Sequence, residues 1–76
     1  MSTIKDTRYQ SKHATLTEAK KIAEIESQKN HDATYGIIED LRDKIFYVEE
    51  DYSFIRNFER LHGEYVRGRF TPAESD

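Results

Sequence analysis

The sequence has no cysteine. This excludes a disulfide framework, every thiolate metal site and every thiol nucleophile, and it removes the staple that small secreted domains depend on. The expected location is therefore the cytoplasm, or the host cytoplasm if the chain is viral. Long apolar runs are missing as well. No stretch approaches the roughly 20 apolar residues of a membrane span, and residues 1–13 lack the apolar core of a signal peptide, so no membrane partner is expected.

Glycine is scarce and scattered. Gly36, Gly63 and Gly68 stand alone, which rules out a glycine-rich phosphate cradle. The three histidines, His13, His31 and His62, have neither the spacing of a paired ligand nor cysteine partners, so no zinc site is expected. His31 beside Asp32 and His62 before Gly63 read as solvated helix-end residues that complement the helix dipole. No Ser/His/Asp arrangement stands out. The expectation is a protein without cofactor, metal or catalytic residues, hence not an enzyme.

What remains is 76 residues with 36% hydrophobic and 36% charged side chains and a net charge of −3. A chain of this length supplies one small domain, with little room for a deep private cavity beside its core. The apolar residues concentrate between positions 14 and 66. The expected organisation is a flexible arm over 1–13, a single domain over 14–70 and a polar tail over 71–76.

Thr15-Leu16-Thr17-Glu18 has the form of a capping box and predicts a helix start. Leu16, Ala19, Ile22, Ala23 and Ile25 recur at helical spacing as its apolar face, and Asn30 closes it in the left-handed conformation. Two β-rich runs follow, Thr34 to Leu41 and Lys44 to Glu49, and predict a hairpin. Arg-Asp is a poor two-residue turn, so the loop is expected to be longer. Ile45 to Val48 is apolar on both faces, the mark of a strand covered on both sides or meeting a partner. Ser53 then caps a predicted second helix over Phe54 to His62, with Phe54, Phe58 and Leu61 on one stripe, ended by Gly63; a strand over Phe54 to Phe58 is the alternative. Glu64 to Phe70 is a candidate third strand, weakened by Gly68. The fold class read here is α+β, in the order α-β-β-α-(β), with a two- or three-stranded antiparallel sheet packed against helices.

The net charge hides two opposed biases. Residues 39–51 hold Glu39, Asp40, Asp43, Glu49, Glu50 and Asp51 against Arg42 and Lys44, a net of −4, and are a candidate acidic docking surface for a basic partner. Residues 52–70 hold Arg56, Arg60, Arg67 and Arg69 against Glu59 and Glu64, a net of +2, interleaved with Tyr52, Tyr65 and Phe70. Together with Tyr47 these make a candidate arginine and aromatic surface, a composition shared by protein hot spots and nucleic-acid sites. On the predicted elements Arg56 and Arg60 lie one helical turn apart, and Tyr65, Arg67 and Arg69 share one strand face with Val66 and Phe70 on the other.

With five tyrosines and four phenylalanines in so small a domain, surplus aromatic surface is expected. The expected function is a non-enzymatic interaction protein with a protein partner, of the kind with which a virus or mobile element inhibits host machinery. The rivals are a nucleic-acid accessory module using the 52–70 segment, a homodimer and a structural subunit of a larger assembly.

Overall fold

The computed structural model describes residues 11–52 and 55–73. A short strand β1 (Ser11–His13) leads into the helix α1 (Leu16–Lys29), and four strands follow: β2 (Tyr35–Asp40), β3 (Ile45–Glu50), β4 (Glu59–Val66) and β5 (Arg69–Pro72). They form one antiparallel sheet in the order β1-β3-β2-β4-β5. The α+β class is as expected. The order of elements and the number of strands are not.

The helix starts as its sequence dictates: the Thr15 hydroxyl accepts from the Glu18 N–H at 3.2 Å. Its end differs. Asn30 is extended at φ −125°, and its side-chain amide donates to Tyr35 Oη and Glu50 Oε2, each at 3.4 Å. The buried face differs too. Ala19, Ala23 and Ser27, four residues apart, are buried, Leu16 and Ile22 are half-buried, and Ile25 is exposed. Small side chains on that stripe let the helix backbone approach the large residues of the sheet, Tyr35, Ile37, Val48 and Tyr65, with Leu16, Phe46 and Phe70 around them. Ser27 adds a polar link, since its hydroxyl donates to Glu24 O and accepts from the Gly68 N–H at 2.8 Å, tying the helix to the β4–β5 turn.

The predicted hairpin is present with Asp40 opposite Ile45, which leaves a four-residue loop. The Asp40 carboxylate organises that loop. It accepts from the N–H groups of Arg42 (2.9 Å) and Asp43 (3.3 Å) and from the Arg42 guanidinium (3.1 Å). The Arg42 hydrogen bond, ahead of the two backbone donors, holds the Asp40 carboxyl below its ordinary pKa.

The second predicted helix is not there. Ser53 and Phe54, its cap and first residue, lie outside the described residues; Ile55–Phe58 is irregular and Glu59–His62 is strand. Two features of β4 disguise it. A bulge between its pairings with Ile37 and Ile38 sets Leu61 and His62 together against one partner residue, which interrupts the period-two pattern. Gly63 is also a strand residue rather than a helix stop: a Cβ there would come within 2.5 Å of the Phe70 ring and 2.7 Å of the Thr71 carbonyl oxygen.

The candidate strand over Glu64 to Phe70 is in fact the close of one strand and the start of another. Arg67 (φ 54°) and Gly68 (φ 79°) form a two-residue turn with both central residues at positive φ, the geometry that suits strand twist. The expected tail is shortened accordingly, because Thr71 and Pro72 belong to β5, and the expected arm loses Ser11–His13 to β1. Glu74, Ser75 and Asp76, like residues 1–10, lie outside the described residues.

Strands β3 and β4 run the same way on either side of β2. The chain must therefore return the full length of the sheet between them. The two ends of that return are fixed at opposite ends of β2: Asp51 N–H donates to Thr34 O, and Phe58 O accepts from Leu41 N–H. On the way Tyr52 covers Gly36, whose side of β2 alternates with the helix-facing Tyr35 and Ile37. Ile38, on that second face, is as fully buried as Ile37. The expectation for Ile45 to Val48 holds in the same way, with Phe46 and Val48 toward the helix and Ile45 and Tyr47 on the second face.

Candidate interaction surfaces

The six acidic residues do not form one surface. Glu39, Asp40 and Asp43 sit at the loop end of the β2–β3 hairpin and Glu49, Glu50 and Asp51 at the other, separated by about 17 Å along the strands. Most are engaged within the fold. Asp40 holds the loop, and Glu39 Oε1 lies 2.7 Å from His62 Nε2. Asp51 accepts from the Thr34 N–H at 3.0 Å, and Glu50 from Asn30. Glu49 is buried on the second face, and Asp43 is exposed at the tip.

The arginine and aromatic set divides differently. Tyr65 is buried, with its ring 5.0 Å from that of Phe70, and Lys20 Nζ stands 4.5 Å above the Phe70 ring. So Tyr65 and Phe70 share the helix-facing side, because the two-residue turn makes them cross-strand partners, and Tyr65 shares no face with Arg69. Tyr47 is half-buried on the second face. Tyr52 is fixed by its hydroxyl, which donates to Glu64 Oε1 at 2.7 Å. Arg56 lies in the crossing and Arg60 on β4, so they are not helical neighbours. Arg60, Arg67 and Arg69 are exposed along the β4–β5 hairpin and have no carboxylate partner among the described residues, whereas Arg42 is paired with Asp40.

Strand β4 outruns β5. Where β5 ends, a half-open notch of about 620 Å³ lies at the sheet edge, lined by Tyr52, Arg60, Leu61, His62, Glu64 and Pro72 among others. Local sequence gave no pointer to it, because the notch depends on the bulge and on the unequal strand lengths. The His62 and Glu39 pair, 23 positions apart in sequence, was equally invisible. The outer edge of β5 is guarded. Ala73 N–H donates to His62 O, so by alternation Phe70 and Pro72 turn their backbone groups outward, and the proline sits where a strand would otherwise find a donor.

Two further groupings carry histidine. Ser11 Oγ lies 2.7 Å from His13 Nε2, and His13 Nδ1 lies 3.7 Å from Glu18 Oε1. The order matches a nucleophile, base and carboxylate, but the last separation exceeds a hydrogen bond and the Glu18 side chain is 57% exposed. It joins β1 to the start of α1. Among the described residues no group of three or more His, Asp or Glu is placed to hold a metal ion, and no helix is long and apolar enough to cross a membrane.

Burial raises the pKa values of Tyr35, Tyr47 and Tyr65, and it pushes Tyr52 up to about 12, reinforced by the Glu64 carboxylate that accepts its proton. The fold thus favours the neutral phenol. Its contribution is complete below the ordinary tyrosine pKa near 10 and is lost as pH rises toward 12. Denaturant unfolding followed across this range should show stability falling with pH, and less steeply in Tyr52→Phe. Equal slopes in the two proteins would contradict the Tyr52 assignment.

Comparison of the chain with known protein families, with curated proteins and with solved structures gives no match.

Proposed function

We propose that this chain is a non-catalytic interaction domain whose partner is a protein, received through an acidic segment along the β4–β5 hairpin. The observation that carries this reading is the exposed set Arg60, Arg67 and Arg69, without carboxylate partners among the described residues, in a chain of net charge −3. Cations left unpaired in an acidic protein favour an external anion by complementarity and by steering its approach. The acidic residues first singled out serve this reading less well, since they are divided between two ends and largely used internally.

An acidic protein segment is favoured over nucleic acid by the state of the aromatics. Base stacking needs exposed ring faces. Here Tyr65 is buried, Phe70 lies beneath Lys20 and Tyr52 is fixed over Gly36. Nor do the arginines make an uninterrupted basic face to track a phosphate backbone, because Glu64 lines the same notch as Arg60.

Fluorescence anisotropy with labelled hexaglutamate at low and moderate salt tests the reading. Binding that weakens with salt, and weakens further in the Arg67→Ala/Arg69→Ala variant, is the expected result. Binding of a mixed-sequence DNA or RNA oligonucleotide with none of hexaglutamate would replace the protein partner with a nucleic acid.

A further inference from the structure

Resting on that reading, we infer that the notch beyond the end of β5 is a pocket for a single carboxylate side chain, a glutamate of the partner's acidic segment, with Arg60 as its anchor. Arg60 lines the notch, is exposed, and has no carboxylate partner among the described residues. A guanidinium in that state presents a planar fork to a carboxylate and can bind it through two parallel hydrogen bonds. The pocket is large enough, at about 620 Å³, to take a side chain together with the backbone that carries it.

The rest of the lining narrows the ligand. Leu61, Pro72 and Ala73 supply apolar wall beside Arg60, which suits the methylene stem of glutamate. The other cationic candidate is already committed, for His62 faces Glu39 at 2.7 Å. Glu64 closes another side of the notch with one oxygen occupied by the Tyr52 hydroxyl. Repulsion from that carboxylate grows with the ligand's charge, so a dianionic phosphate ester is opposed about twice as strongly as a monoanionic carboxylate. The chemistry selected is a monoanionic carboxylate on a short apolar stem.

The notch also explains why binding need not proceed by strand addition. The outward position of Pro72 denies an incoming strand a donor, so recognition falls to side chains. Arg60 sits at one end of β4, and Arg67 and Arg69 cluster about the turn at the other, roughly 20 Å away. An extended acidic segment spans that distance with about six residues, placing one glutamate in the notch and others near the turn.

The experiment is hexaglutamate binding by wild type, Arg60→Ala, Arg60→Lys and the Arg67→Ala/Arg69→Ala variant, with amide chemical shifts recorded during the titration. Expected are a five- to tenfold loss for Arg60→Ala, partial retention for Arg60→Lys, shifts at Leu61, His62, Gly63 and Ala73, and weaker binding of a phosphoserine peptide of equal length. If Arg67→Ala/Arg69→Ala weakens binding while Arg60→Ala does not, the notch is not the pocket and the wider reading survives. If wild type binds no hexaglutamate at low salt, both fall. Phosphopeptide binding equal to or tighter than hexaglutamate would overturn the carboxylate assignment. Arg60 is exposed, so its replacement leaves the core intact; unchanged thermal unfolding of Arg60→Ala verifies that the loss is one of binding.

Discussion

Ile38→Ala should destabilise the protein by about 2 to 5 kcal/mol, as much as Ile37→Ala, although the two side chains leave β2 on opposite faces. Both are fully buried. Ile37 packs against α1, so a large cost there is unsurprising. Ile38 lies on the face away from the helix, flanked across the sheet by Tyr47 and Leu61. Domains of this length have total stabilities of roughly 4 to 11 kcal/mol, so either substitution removes a large part of the whole. Urea unfolding monitored by circular dichroism measures both. A cost below about 1 kcal/mol for Ile38→Ala, with Ile37→Ala behaving as expected, would mean that the second face is not a packed layer.

Gly36→Ala should be nearly as damaging through the opposite fault. A Cβ at Gly36 would lie 2.5 Å from Tyr52 Cδ1 and 2.7 Å from Cε1, well inside contact distance. The ring cannot rotate aside cheaply because its hydroxyl is held by Glu64. Overpacking of roughly 1 to 3 kcal/mol, added to about 1 kcal/mol for the lost hydrogen bond, gives about 2 to 4 kcal/mol. For a domain of this size that lowers Tm by roughly 10 to 25 °C. Tyr52→Ala also destabilises, yet the double variant should cost clearly less than the sum, because the clash exists only while the ring is present. Simple additivity would show that Tyr52 does not occupy the space above Gly36. An independent sign is spectroscopic: in Gly36→Ala the slowest tyrosine to ionise should move back from about 12 toward 10.

Much of the first half of this fold is legible in the sequence, because its signals are local. Thr15 and Glu18 mark the helix start, and the doubly apolar run from Ile45 to Val48 marks a strand with two covered faces. The second half is not, and particular residues explain why. Phe54, Phe58 and Leu61 recur at helical spacing by coincidence, while the bulge at Leu61 and His62 breaks the alternation by which β4 would have declared itself. Gly63 and Gly68 look like interchangeable breakers, yet one makes room for the Phe70 ring and the other turns a hairpin. Hydrophobicity misjudged the helix in a subtler way, by giving weight to Ile25 when the seating depends on the small volumes of Ala19, Ala23 and Ser27. Of the candidate surfaces, charge sign was readable but grouping was not. Whether Glu39 or Arg60 is available to a partner depends on pairings with residues distant in sequence, and His62 leaves only the arginine unmatched.

The crossing between β3 and β4 also divides the molecule in time. The β2–β3 and β4–β5 hairpins are each closed by short turns and can form from near neighbours, whereas the pairing of β2 with β4 requires the intervening chain to be laid along the whole strand first. The two hairpins are local pairings, and the β2–β4 pairing that joins them carries the larger loop-closure entropy, so substitutions at that seam should slow folding more than those in either turn.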